Sequence, residues 1–309
     1  MDSAQFLQQI INGLSIGATY ALIALGYTMV YGVLRLINFA HGEIYMVGAV
    51  SGWYLADLML QSRAPQWLSV VVVFLGAMAI CAMLGAVIEF FAYRPLRDRP
   101  RLVVLITAIG MSLLLQNLAQ LESIFGPNPR RFPELVRAVN VVSLDIGGGV
   151  TIDNYTLLSL GLAVFLMGGL TWMILGTRTG LAMRAVSFRF ETARLMGVNT
   201  GRVISATFMI GSALAAVAGV LDGMRYDVRW QMGVLAGMKA FVAAVLGGIG
   251  NIPGAVLGAM LLGLLEAILK GGVLREYGGL ADAAAFAVLI VILLVRPNGI
   301  LGRASVEKV

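Results

Sequence analysis

The chain has 309 residues, 59% of them hydrophobic and only 12% charged, with a mean hydropathy of +0.90. A soluble domain carries about 25% charged residues, so this composition excludes a water-soluble globule and points to a protein embedded in lipid. The formal charge of +6 would suit nucleic acid, but most arginines fall in short segments between apolar blocks, where they act as topology signals instead.

The opening residues, "MDSAQFLQQI", carry no base, so they do not start like a cleaved secretory signal, and the first span is expected to be retained. Apolar blocks follow at 10–33, 38–60, 67–92, 102–121, 154–176, 203–221, 236–249, 253–270 and 280–295. Most are long enough to cross about 30 Å of hydrocarbon. In lipid the backbone must satisfy its own hydrogen bonds, which leaves helices or a closed barrel. Barrel strands alternate polar and apolar residues over about ten positions, and no block here does so. The expected fold is a single all-α polytopic membrane domain spanning 1–309. The lone cysteine, Cys81, lies inside an apolar block, so no disulfide framework exists and a small buried hydrophobe is expected.

Lys and Arg set the orientation. Arg94, Arg97, Arg99 and Arg101 mark one cytoplasmic segment, and Arg178, Arg184, Arg189, Arg194 and Arg202 mark a second. The tail, with Arg296, Arg303 and Lys308, marks a third. Keeping all three inside requires that 236–270 be two helices, broken at "GGIGNIPG" (Gly247–Gly254), where Pro253 cannot continue a helix from before it. That yields nine crossings with the N-terminus outside and the C-terminus inside; an unbroken run would leave eight. The loop 122–153 then lies outside despite Arg130, Arg131 and Arg137, and its Gly, Pro and alternating Val/Ile suggest a short strand pair. Small residues four apart (Gly254 and Gly258; Ala255, Ala259 and Gly263; Gly211, Ala215 and Gly219) predict closely packed helices.

Ionisable groups inside such blocks are costly and should face protein or a water-filled path. Asn38, His41 and Glu43 stand at the start of the second block, and Lys239 is expected at the start of the seventh. They are the candidates for a substrate path, the alternative being that the first three merely cap a helix whose dipole favours Glu43. "AGMKAFVAAV" echoes "AHGEIYMVGAV", which suggests an inverted internal repeat, with the two helices starting from opposite faces and no direct Glu43–Lys239 ion pair. Glu266 and Lys270 read as a local i,i+4 pair, and Asp57, Glu89 and Glu122 as snorkelling groups near helix ends. One histidine and one carboxylate do not make a metal site. There is no G-x-x-x-x-G-K-[ST] nucleotide loop, so any ATP and Mg must be held by another subunit, and no cofactor is expected on this chain. An embedded enzyme would need a constellation that a single histidine cannot supply, and an ion-coupled carrier would need acids at mid-membrane rather than near helix ends.

Segment 177–202 carries "GLAMRAVSFRFETARLMGV", readable as one basic helix over 181–197 with Leu181, Ala185, Phe188 and Thr192 near one face. It would lie on anionic lipid or dock on a partner. "ETARLMG" resembles a degenerate EAA loop of ABC importers, without the later Ile-x-Leu-Pro portion. Long blocks from about Gly13 to Gly302, including "GATYALIALGYTMVYGVLRLINFAHGEIYMVGA", "IEFFAYRPLRDRP", "GMKAFVAAVLGGIGNIPGAVLGAMLLG" and "VRPNGILG", are similar to the LivH-type permeases of branched-chain amino acid ABC importers. The resemblance implies a bacterial inner-membrane importer of leucine, isoleucine and valine, with urea or short amides as the alternative cargo. It implies partners too: a second related permease, ABC ATPases and a periplasmic binding protein. Arg184, Glu191, Ala193 and Gly197 are then the ATPase-coupling residues, the charged pair by surface contact and the small pair by close approach.

Overall fold

In the computed structural model the described residues are 3–97, 99–133, 144–145, 150–272, 278–296 and 298–302. Asp98, Glu134, Arg137, Arg303, Glu307 and Lys308 lie outside them. Each of the nine apolar blocks is helical over most of its length, the second only from His41: α1 (Ser3–Leu34), α2 (His41–Gln61), α3 (Gln66–Ile88), α4 (Arg101–Gln120), α5 (Asn154–Gly176), α8 (Thr200–Arg225), α9 (Met232–Gly247), α10 (Ile252–Gly271) and α11 (Gly278–Val295). Two short helices, α6 (Arg178–Phe188) and α7 (Phe190–Leu195), link α5 to α8. Among the described residues six helices are long and apolar enough to cross a membrane: α1, α3, α4, α5, α8 and α10; α9 and α11 are shorter apolar helices. The 122–153 segment contains the strand pair expected of it, β1 (Leu144–Asp145) antiparallel to β2 (Thr151–Ile152).

Small residues position the core helices. A Cβ on Gly13 would stand 2.7 Å from the Leu264 backbone and one on Gly17 2.9 Å from that of Met260, so α1 and α10 run antiparallel in backbone contact. A Cβ on Gly258 would strike the Ala243 carbonyl, and one on Gly219 the Tyr45 carbonyl, so α9–α10 and α2–α8 are equally close. Ala215, Ala255 and Ala259 are fully buried beside these contacts. Lipid offers no hydrophobic drive for helix association, so close van der Waals packing supplies it. α5 lies outside this core, with Phe165 74% and Trp172 70% exposed on the face expected to meet lipid.

The break within 236–270 is real and has a local cause. Gly248 (φ +107°) and Gly250 (φ +89°) hold left-handed conformations between α9 and α10, and the Asn251 side chain accepts from Gly254 N–H at 3.3 Å to cap α10. The end of α3 also follows from proline. Pro95 cannot donate to the carbonyl four residues before it, and the helix passes through a π turn (Glu89–Tyr93) and a 3-10 turn (Arg94–Leu96). Glu89 does not snorkel there: it is fully buried, bonded to Arg97 and the Ser205 hydroxyl.

Loops gather at two ends. At one, Gln8 Nε2 donates to the Thr151 carbonyl (3.0 Å), Trp53 Nε1 to that of Arg131 (2.9 Å), and Arg130 bridges to Val228. At the other, Ser187 bonds to the Gly32 carbonyl and Asn251 Nδ2 to that of Leu301 (2.9 Å). The start of α1 therefore shares an end with the 122–153 loop, and residues 298–302 share the opposite end with α6.

Candidate functional site

Two polar clusters lie on either side of α9. The first is built by a reversal of the chain. Arg35, at φ +54°, turns residues 35–40 back alongside α1, so that α2 begins at the level of Gly26, where an added Cβ would collide with the His41 ring. Non-helical backbone at such depth is tolerated where it is buried in protein or lines a cavity, and here it is buried: Asn38 is 2% and Ala40 0% exposed. Asn38 Oδ1 accepts from the Tyr93 hydroxyl (2.8 Å) and from Ala40 N–H (3.1 Å), and its carbonyl accepts from His41 N–H (3.1 Å). His41 meets Tyr27 edge-on at 4.7 Å, and Glu43 Oε1 accepts from the Ser112 hydroxyl at 3.3 Å.

Asn38, His41 and Glu43 are all buried at the start of α2, each held by a different helix, and among the described residues each keeps one buried polar atom without a partner: Nδ2, Nε2 and Oε2 respectively. An unsatisfied buried group costs about 1–3 kcal/mol, so three in one cluster suit a place where a polar cargo, or water accompanying it, supplies the missing bonds. On the other side of Glu43, Gly233 admits the carboxylate: a Cβ there would stand 2.6 Å from Oε2.

Lys239 does not join this cluster. It sits halfway along α9 rather than at its start, because the helix begins at Met232, where Gly233 and Gly237 let its first turns lie flush on Gly42. Two positions on from Gly237, Lys239 faces away. Its Nζ bonds to Glu266 Oε1 (2.8 Å) and Asp282 Oδ1 (3.0 Å), and Lys270 bonds to the same two oxygens (2.6 and 3.1 Å). The pair expected between Glu266 and Lys270 is therefore half of a four-charge knot, with Tyr20 donating to Glu266 Oε2 at 2.9 Å.

The knot forms one wall of a chamber of about 430 Å³ that reaches Tyr226, Asp227 and Arg229 in the α8–α9 loop. Asp222 and Arg225 on α8 also line it, the former accepting from the Tyr45 hydroxyl and the latter lying over Tyr155 at 5.2 Å and Tyr226 at 5.6 Å. Sequence reasoning missed Asp222, Arg225, Tyr20 and Asp282. The available signal was a carboxylate abutting an apolar block, which is rare without a role, in "GVLDGMR" and "GLADAAAF".

Segment 177–202 departs from the single 181–197 helix. Arg189, in extended conformation (φ −150°, ψ 107°), separates α6 from α7, and the buried face carries Met183, Val186 and Ala193, while Leu181 is 61% and Phe188 81% exposed. Arg184 and Glu191 are exposed, whereas Ala193 packs inside its own chain. Gly197 follows α7 at φ +84°, with open space where a Cβ would point.

Among the described residues no cluster of His, Cys, Asp and Glu is placed to hold a metal. Six helices long and apolar enough to cross a membrane, packed in backbone contact, define a multi-pass membrane protein. A model of the family described as branched-chain amino acid transport system, permease component, matches residues 9–296, and the chain belongs to that family. It is 47% identical over 306 residues to the high-affinity branched-chain amino acid transport system permease proteins LivH of Salmonella typhimurium and Escherichia coli K12, covering 98% of each chain. It is 46% identical to BraD, the corresponding permease protein of Pseudomonas aeruginosa, again over 98% of both. The chain is a permease subunit and not an enzyme.

Proposed function

We propose that the protein is the membrane-spanning subunit of an ATP-driven importer of leucine, isoleucine and valine in a bacterial inner membrane. Identity of 47% across 98% of a branched-chain amino acid permease carries this reading. The partners are ABC ATPases, which hold ATP and Mg, a periplasmic binding protein that delivers cargo, and a second related permease. All nine apolar helices cross, with α2 and the two short ones completing the six long ones, the N-terminus outside and the C-terminus inside; the grouping of loops at two ends supports this orientation. The contact of Gly42 with Gly233 and Gly237 sets the starts of α2 and α9 against each other, which supports an inverted repeat.

Transport runs by alternating access. The ATPases engage α6 and α7 through Arg184, Glu191, Gly197 and the exposed Leu181, Phe188, Leu195 and Met196. Their closure pushes on the Ser187–Gly32 contact at the end of α1 and on the cap of α8, where the Asn199 side chain accepts from Arg202 N–H at 3.0 Å. Motion of α1 and α8 against α9 opens the chamber and the Asn38–His41–Glu43 cluster in turn.

Uptake of labelled leucine, isoleucine, valine and urea by proteoliposomes holding the complete importer tests the reading. ATP-dependent accumulation of the three amino acids is expected. Uptake on an ion gradient alone, without nucleotide, overturns it, and exclusive uptake of urea reassigns the cargo.

A further inference from the structure

The charged groupings in the chamber differ in kind, and the exposed Asp227 and Arg229 at its mouth form a loose pair of their own at 4.0 Å. Lys239, Lys270, Glu266 and Asp282 neutralise one another, two cations against two anions, with every contact at 3.1 Å or less. Asp222 and Arg225 do not. They stand three residues apart on α8, near neighbours on one helix face, yet among the described residues neither belongs to an ion pair. Asp222 Oδ2 is held by the Tyr45 hydroxyl, and no hydrogen bond from the described residues reaches Oδ1. Arg225 is held by the faces of Tyr155 and Tyr226, a contact that fixes a guanidinium while leaving its N–H donors free.

A fixed cation and a fixed anion, held close but apart over a common cavity, complement a ligand that carries both charges on neighbouring atoms. A lone anion would leave Asp222 unanswered, and a lone cation would leave Arg225 so. Ile16, Leu235 and Ala236 supply an apolar wall to the same chamber, whose volume lies within the ~300–1,000 Å³ usual for small-ligand pockets.

We infer that this chamber is a receiving site for a free α-amino acid in its zwitterionic form, with Arg225 taking the carboxylate by its planar fork, Asp222 taking the ammonium group, and the side chain lying toward Leu235. The inference rests on the proposed transport of branched-chain amino acids and adds where, and by which atoms, the cargo's head group is recognised.

The test uses the complete importer carrying Leu235→Cys, since Leu235 is 44% exposed and the native Cys81 is fully buried. The rate of modification by a charged thiosulfonate is measured with leucine, leucinamide or 4-methylpentanoate added. Leucine at ten times its dissociation constant should slow the reaction about tenfold by occupancy, while the amide and the des-amino acid, each lacking one charge, should leave it unchanged. Arg225→Gln and Asp222→Asn should abolish protection by leucine. Equal protection by all three compounds, or none by leucine, overturns the inference; the latter is also the outcome if a zwitterionic lipid headgroup fills the chamber. Binding of labelled leucine to the complex without the cysteine gives the same decision if that variant does not assemble: Arg225→Gln should weaken it at least about tenfold, and binding equal to that of the unaltered complex overturns the assignment. ATP-driven leucine uptake by the unaltered importer, measured in parallel, separates the two readings. Uptake without protection sinks the chamber alone, whereas absence of branched-chain uptake sinks the function.

Discussion

Single side chains in this protein are held by partners from distant parts of the chain. Lys239 is answered by Glu266 and Asp282, and its side chain is 5% exposed. Removing one member of a buried ion pair leaves uncompensated charge and costs about 3–5 kcal/mol, whereas replacing both with apolar groups is often neutral. Lys239→Met should therefore lower the thermal unfolding midpoint of the purified complex sharply, and Lys239→Met with Glu266→Leu should recover part of the loss. A double variant no more stable than the single one would show that the knot is not a paired unit. Glu43 makes a different prediction, because among the described residues its Oε2 has no partner to lose. Glu43→Gln keeps the shape and should lower the maximal rate of uptake at unchanged protein level and melting point. Uptake at the original rate would return Glu43 to a capping role at the start of α2.

Among elements, contact distance rather than hydrophobicity decides which glycines matter. Gly258 abuts the Ala243 carbonyl of α9, while Gly161 in α5 has nothing near its missing Cβ. Gly258→Ala should destabilise by the roughly 1–3 kcal/mol typical of overpacking. Gly161→Ala should be neutral or slightly stabilising, since Ala favours a helix by about 1 kcal/mol. Melting of the two variants side by side checks the contrast. At the end of α7, Gly197 combines a left-handed turn with open space. Asn adopts that backbone readily, so Gly197→Asn should sustain uptake. Gly197→Trp carries the same backbone strain as the Asn variant and points its Cβ into open space, so it should abolish uptake by blocking the partner while leaving the protein in the membrane. Normal uptake by the Trp variant would remove this turn from the coupling surface.

At the scale of the whole molecule the orientation is open to direct labelling. Asn128 lies in the loop that shares an end with the start of α1, and Met196, 80% exposed, follows α7 at the other end. Because Cys81 is fully buried, single cysteines report without background. An impermeant maleimide on intact cells should modify Asn128→Cys and reach Met196→Cys only after permeabilisation. The reverse pattern would invert the topology and with it the coupling segment's access to ATPases.

The sequence by itself determined every apolar helix, the break at Gly247–Gly254 and the placing of Asn38, His41 and Glu43 at the start of α2. These depend on local causes: stretches of apolar residues that must become helices in lipid, glycines and a proline that cannot continue one, and residues too near in the chain to be far apart in space. The count of long spans was less legible, since α9 and α11 are short for a bilayer and α2 carries charge in its first turn. Only the tertiary structure decided that Lys239 turns away from Glu43 and joins Asp282, and that Asp222 and Arg225 line one chamber without belonging to an ion pair among the described residues. It alone split 181–197 at Arg189 and put Leu181 and Phe188 outward. Those outcomes depend on which helix faces meet, and in a bundle of uniformly apolar helices that choice is made by backbone contact at small residues, which periodicity in a single sequence does not reveal.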